Sequence, residues 1–333
     1  MIPTHTIGFV GHGLARPEGV LAHRSGHLFA ADWAGNGGVA IIAPGGAVTR
    51  CLAARPVRPN GIALEHGGSF LLAHLSDTEG GVFRLHADGR LEPVVTEVAG
   101  RPLPPTNFVV ADGAGRLWIT VSTRHSPRHR AARPDVADGF IVCVPPGGPP
   151  RVVADGLGYT NECAIVGDTL YVNETFGRRI SAFALRGDGL GPRQTHATFG
   201  EGTFPDGLVA DERGGLWVTS VVSNRLIHVR DGTATTMMED ADEDALATTE
   251  RVFQAGSLTT EQFGQLLGQT LKNISSLAFS GPDRSVGVFG CLHGEALATV
   301  PLPAVGAEPI HWRADLGGLI AAGLVAAEEA GEP

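Results

Sequence analysis

Positive charge is scarce in this chain. Lys and Arg total 25 against 35 Asp and Glu, giving a formal net charge of −10 and a pI near 5.7. A nucleic-acid surface needs a basic stripe, so that class of partner is not expected. Long hydrophobic runs are also missing. The longest near the end, Leu316 to Ala327, is too short to span a bilayer and meets Glu328 and Glu329, so no membrane partner is expected. The opening Met1-Ile2-Pro3-Thr4-His5-Thr6 has no basic region followed by an apolar core, so no secretory signal and a cytoplasmic location are expected. The four cysteines, Cys51, Cys143, Cys163 and Cys291, have no paired spacing. They read as scattered buried thiols rather than a disulfide frame or a zinc site. Long helical periodicity is absent before residue 240, which disfavours a pair of α/β domains.

Glycine, by contrast, is abundant: 47 of 333 residues, with 22 Pro and no Gly-X-Y period. In a chain that is 43% hydrophobic this implies many tight turns between many short strands. Six short openings recur: Pro17-Glu18-Gly19, Pro59-Asn60-Gly61, Thr106-Asn107-Phe108, Thr160-Asn161-Glu162, Pro205-Asp206-Gly207 and Ile274-Ser275-Ser276. Each introduces an apolar run such as Ile62-Ala63-Leu64. The central residues are separated by 42, 47, 54, 45 and 69 positions, mostly near the length of a four-stranded propeller blade. A second run follows each first one after a Gly- or Asp-containing turn, as in Arg116-Leu117-Trp118-Ile119 and Gly215-Leu216-Trp217-Val218. Third strands such as Gly38-Val39-Ala40-Ile41-Ile42, and weaker fourth ones such as Arg151-Val152-Val153, complete the unit.

The expected fold is all-β: a six-bladed β-propeller with a short helical insertion before the last blade. Residues 1–315 form one propeller with an insertion at 231–273, and 316–333 form a C-terminal tail. Ring closure is expected between Thr6-Ile7-Gly8-Phe9-Val10 and the last blade, beside Pro309-Ile310-His311-Trp312. Residues 122–138 make a long basic loop in the third unit. Within the insertion, Glu239 to Glu250 read as a solvated acidic loop. Thr259-Thr260-Glu261-Gln262 reads as a capping box opening an amphipathic helix with Phe263, Leu266, Leu267 and Leu271.

In a propeller the six openings converge on one axis. Glu18, Asn107, Asn161 and Asp206 then supply two carboxylates and two amide oxygens with no thiolate, a hard-cation donor set. Asp or Asn before Gly also makes ordinary turns. Glu18 is a poor turn former, however, and Asn107 and Asn161 are not followed by Gly. One divalent cation is expected, Ca²⁺ first, with Mg²⁺, Mn²⁺ or Zn²⁺ as alternatives.

The openings Pro17-Glu18-Gly19, Thr160-Asn161 and Pro205-Asp206-Gly207-Leu208-Val209-Ala210-Asp211, the last running on to Gly214-Gly215-Leu216-Trp217-Val218, resemble those of the SMP-30/gluconolactonase/luciferin-regenerating-enzyme family. The resemblance implies a six-bladed propeller with one divalent cation in its channel, bound by residues matching Glu18, Asn161 and Asp206. Asn107 matches a residue beside the metal or the substrate. The pattern departs at Pro105, where sugar-lactonase members often carry Arg, and at Gly19-Val20-Leu21, where Gly-Pro-aromatic is usual.

The function expected is a metal-dependent hydrolase opening a lactone or related cyclic ester, with Asp206 as general base or nucleophile. A phosphotriesterase or isomerase on the same metal, and a non-catalytic ligand-binding propeller, are the alternatives. The expected partner is a small-molecule substrate, and the loop arginines favour an anionic one. Asn60, Trp33, His74, Arg124, His125, Asn173 and His293 are its candidate contacts. The chain is expected to be a monomer or a small homo-oligomer.

Overall fold

Short strands separated by glycine-bearing turns organise the described residues into six antiparallel sheets, five of four strands and one of five, with a separate two-stranded ribbon at Glu97–Pro102. The computed structural model describes residues 1–259, 262 and 268–327. The sheets are arranged as a six-bladed β-propeller. The innermost strands are Glu18–Ala22, Pro59–Leu64, Thr106–Ala111, Thr160–Val166, Pro205–Ala210 and Ile274–Ser280. Their side chains alternate between the two faces of each blade. Leu21 thus packs between blades one and two, while Val20 and Ala22 pack between blades six and one. Six apolar layers of this kind, one per blade interface, make up the core.

The ring closes through the N-terminus. Gly8–Val10 pairs antiparallel with Leu297–Pro301 and forms the outermost strand of blade six. Pro309 to Trp312, expected beside it, form no strand, and residues 310–313 are a turn. The segment from 316, expected as a tail, docks instead: Leu316, Leu319 and Val325 are buried in the layer between blades one and two. No described helix is long and apolar enough to cross a membrane. All four cysteines are buried and free.

Two hairpin turns show why the repeat folds locally. The Asp112 carboxylate accepts from the Arg116 amide and from Trp118 Nε1, at 3.0 and 2.8 Å. Asp211 does the same with Gly215 and Trp217, at 2.9 and 3.1 Å. Each aspartate therefore fixes the turn and anchors the indole of the following strand.

The insertion differs from expectation. Where a solvated acidic loop was expected, a helix, α1 (Glu243–Gln254), lies within and just beyond the acidic run. Asp242 caps it by accepting from the Ala245 amide, and Glu243 and Asp244 suit its N-terminal dipole. Ala245, Leu246, Val252 and Phe253 then form its apolar face. The acidic residues thus act as a helix start rather than as a solvated loop. Thr259 and Gln262 exchange capping-box hydrogen bonds, with Gln262 Oε1 accepting from the Thr259 amide at 3.0 Å. Phe263, Leu266 and Leu267 lie outside the described residues, and Leu271 is buried between blades five and six.

Every inner strand carries a register shift at its opening, between Glu18 and Val20 in blade one and between Pro205 and Leu208 in blade five. The other four openings behave alike. Such bulges re-aim one side chain out of the pleat. They also bring neighbouring inner strands close together. A Cβ on Gly207 would run into the Ser275 carbonyl and crowd Thr219 Oγ1. Gly207→Ala is therefore expected to cost about 1–3 kcal/mol, read as a lower urea midpoint with an unchanged slope.

Candidate functional site

The six bulged residues are Glu18, Asn60, Asn107, Asn161, Asp206 and Ser275, and all are buried. A chain of contacts links the first three. Arg16 Nη1 donates to Glu18 Oε2 at 2.5 Å and to Asn60 Oδ1 at 3.3 Å. Asn60 Nδ2 donates to the Asn107 carbonyl at 3.1 Å and lies 3.4 Å from Asn107 Oδ1. On the other side of the ring, Asn161 Nδ2 donates to Thr175 Oγ1 at 3.0 Å, and that hydroxyl donates to the Pro205 carbonyl at 2.8 Å. This fixes the Asn161 amide with its oxygen free. Asn161 Oδ1 and Asp206 Oδ1 are both buried without a hydrogen-bond partner, as is Ser275 Oγ.

Orphaned buried acceptors are rare because desolvating them without a partner is costly. Here the cost is compounded by charge. Burial raises the Asp206 carboxyl well above its usual range, and the Glu18 and Glu162 carboxylates raise it further, against opposing effects from Arg16 and Asn161. Glu162 is buried beside Asn161 and accepts from the Leu208 amide at 3.0 Å. Burial pushes its carboxyl up to about 8, eased by Ser276 and the Leu208 amide and worsened by Glu18. Three carboxyl groups thus converge where two oxygens lack partners. These residues fit a hard divalent cation: anionic and amide oxygens, excess negative charge, and free lone pairs. Among the described residues no group of three His, Cys, Asp or Glu has metal-site geometry.

The expected substrate residues fall into two sets. Trp33 and His293 stand around Arg16. The Trp33 ring holds the Arg16 guanidinium at 4.3 Å, and its Nε1 donates to the Pro59 carbonyl at 2.8 Å. His293 is lowered by burial and by Arg16. Asn173 supports the ring from behind, donating to the Asp206 and Gly207 carbonyls at 2.9 and 3.0 Å. His74 Nδ1 accepts from the Arg58 amide at 3.0 Å, and its ring meets Phe83 edge-on. Arg124 and His125 are engaged elsewhere. Arg124 makes a bidentate pair with Asp155 at 2.7 and 2.8 Å, and His125 Nδ1 lies 2.9 Å from Asp138.

Sequence reasoning missed Arg16, Glu162 and Arg128. Glu162 sits where three of the other openings carry glycine, which was the visible signal. Arg16 carried none beyond lying two residues before Glu18. Arg128 was one of four arginines in the third-blade loop. Its Nη1 donates to the Tyr159 hydroxyl at 3.1 Å, and it lies within electrostatic reach of Glu18 and Asp77.

That loop and α1 pack together. Ala131, Ala132, Tyr159, Phe176, Phe204 and Phe253 form an apolar cluster over blades three to five. Arg178 pins the helix, pairing with Glu250 at 2.6 and 3.0 Å and lying 4.6 Å from both the Phe204 and Phe253 rings. Along the inner strands runs a cavity of about 340 Å³, lined mainly by apolar residues such as Ile62, Phe108 and Ile165, with Glu162, Ser276 and His311 among its polar walls.

The family described as SMP-30/Gluconolactonase/LRE-like region matches residues 17–244, more than half of the chain. No curated protein matches in sequence. A gluconolactonase of Xanthomonas campestris is 23% identical, with 88% of this chain and 89% of that one covered and a TM-score of 0.65. Regucalcin of Agrobacterium tumefaciens, a calcium-binding protein, is 18% identical over 90% and 95%, at 0.64. A luciferin-regenerating enzyme is 15% identical over 91% and 99%, also at 0.64. At these identities the likeness shows the shared propeller.

Proposed function

Because the chain belongs to the SMP-30/gluconolactonase/LRE-like family, we propose that it is a divalent-cation-dependent hydrolase opening a lactone or related cyclic ester. One observation carries this reading: Asn161 Oδ1 and Asp206 Oδ1 are buried without partners in a pocket crowded with carboxyl groups. Glu18, Asn161 and Asp206 would hold the cation, with Asn107 beside it. Ca²⁺ suits the oxygen-only donors best, ahead of Mg²⁺, Mn²⁺ or Zn²⁺. The bound ion supplies polarisation of the substrate carbonyl and stabilisation of the oxyanion.

The chain's own residues supply the rest. Asp206, at the floor of the site, takes a proton from the attacking water as general base. Water adds to the carbonyl, the acyl C–O bond breaks, and the proton passes to the departing ring oxygen. Asn107, held by Asn60, orients a substrate oxygen. Asn173 holds the Asp206 backbone from behind, so the carboxylate keeps its place through the cycle.

Stripping the protein with a chelator is expected to abolish ring opening across a panel of lactones, and re-addition of Ca²⁺ to restore it. A saturating cation should also raise the melting temperature, about 2.7 kcal/mol being gained at a hundred times Kd. Hydrolysis that survives chelation would remove this reading.

A further inference from the structure

We propose that Arg16 and Arg128 together bind a carboxylate carried by the substrate, so that the enzyme selects acidic lactones over neutral ones. The inference rests on the lactonase reading above and adds the substrate's charge to it.

Arg128 bridges Asp77 of blade two to Tyr159, two residues before Asn161, and Arg16 pairs with Glu18 on the same ring of openings. Arg16 donates to Glu18 through Nη1 alone, and Arg128 feels the Glu18 charge from the third-blade loop. Both keep donors in reserve. Among the described residues Arg16 spends only Nη1, on Glu18 and Asn60. Arg128 spends only Nη1, on Tyr159, and its Nε is buried with no hydrogen-bond partner. The nearest carboxylate to that Nε is Asp77, 3.7 Å away and 70% exposed. An unspent donor on a buried cation is as costly as an orphaned acceptor, and an anion satisfies it.

The geometry is built rather than incidental. Arg16 holds a left-handed backbone, φ 50°, a conformation uncommon in non-glycine residues. The Trp33 face fixes its guanidinium plane at 4.3 Å. Arg128 is anchored through its amide, which donates to the Asp77 carbonyl at 3.1 Å, and through Tyr159, itself packed on Phe176.

Charge completes the argument. Without a cation, Glu18 is the carboxylate that offsets Arg16. A divalent ion on Glu18 and Asp206 would neutralise both carboxylates, leaving Arg16 without its carboxylate partner and Arg128 with only the exposed Asp77. A carboxylate on the lactone restores the balance, and its bidentate geometry matches a guanidinium fork. Arg124, the arginine that the sequence favours for this task, already spends its fork on Asp155.

The probes are 5-oxotetrahydrofuran-2-carboxylate, its neutral carboxamide, and the ring-opened acid product, 2-hydroxyglutarate. With Ca²⁺-loaded protein, kcat/KM for the carboxylate lactone is expected to exceed that for the carboxamide at least about tenfold. Arg16→Gln and Arg128→Gln should each bring that ratio towards one. Calorimetry should show 2-hydroxyglutarate binding weakened about 10- to 100-fold in either variant, with Arg16→Lys recovering part of the loss. A wild-type ratio near one, or product binding indifferent to both substitutions, overturns the clamp and leaves the lactonase reading intact. If neither lactone is opened, the lactonase reading fails, and the calorimetric titration still decides the clamp. The wild-type titration and rate ratio need no variant, so misfolding of a substituted chain does not protect the proposal.

Discussion

Asp206→Asn is expected to lower kcat at least about a thousandfold while making the metal-free protein more stable than the wild type. The two effects have one cause. The Asp206 carboxylate is buried and faces Glu18 and Glu162, so the folded chain resists ionising it. Asparagine keeps the shape and removes the charge. In chelated protein the substitution therefore relieves desolvation and like-charge repulsion, and the urea midpoint should rise. In the presence of Ca²⁺ the sign reverses: the variant has lost an anionic donor, so its melting temperature should respond far less to the ion. A residue serving only as a turn former would do neither. Turnover close to wild type, or a metal-free variant less stable than its parent, would sink the assignment.

The second large effect is on pH dependence. Glu162 is held near 8 in the folded chain against 4.5 for a free glutamate. Between those values the folded state retains a proton that the unfolded state has released. Stability therefore falls as pH rises through this window. Buried histidines oppose the trend at its acid end. His311, lowered to about 4 mainly by burial, binds fewer protons folded than unfolded until pH passes 6.5. Above 6.5 the raised carboxyls of Glu162 and Asp206 act in the same direction, so chelated protein is expected to lose melting temperature steadily from pH 6.5 to 8. Glu162→Gln should flatten that slope and be the more stable protein at pH 8. Superimposable profiles for parent and variant would show that Glu162 is not the group responsible.

How much of this was legible in the sequence follows from what periodicity can carry. The openings at Glu18, Asn60, Asn107, Asn161, Asp206 and Ser275 share a register with the strand that follows, and that register alone places them on one axis. The hairpins at Asp112 and Asp211 were readable for the same reason: their chemistry is local. The helix at Glu243–Gln254 was read as a solvated loop because its start is acidic. The Asp242 cap followed by Glu243 and Asp244 looks like plain acidity until Phe253 is seen to bury against Phe176 and Phe204. The clamp arginines were illegible for a different reason. Nothing distinguishes Arg128 from Arg124, Arg130 or Arg133 along the chain. What separates them is which carboxylate each meets after folding: Asp155 for Arg124, Asp135 for Arg133, and for Arg128 an exposed Asp77 at 3.7 Å.

The pairing of Gly8–Val10 with Leu297–Pro301 has a consequence for how the site comes into being. Glu18 is synthesised well before Asp206, yet the blade between them around the short arc is completed only when Gly8–Val10 meets Leu297–Pro301. Blades one to five can assemble as each leaves the ribosome, but the ring of oxygens cannot close until residue 301 is available to meet residue 8. The proposed cation site would therefore be a property of the finished circle. A nascent or clipped chain with most of its blades folded would carry the ligands without the geometry to hold an ion, and the metal would report on completion of the fold itself.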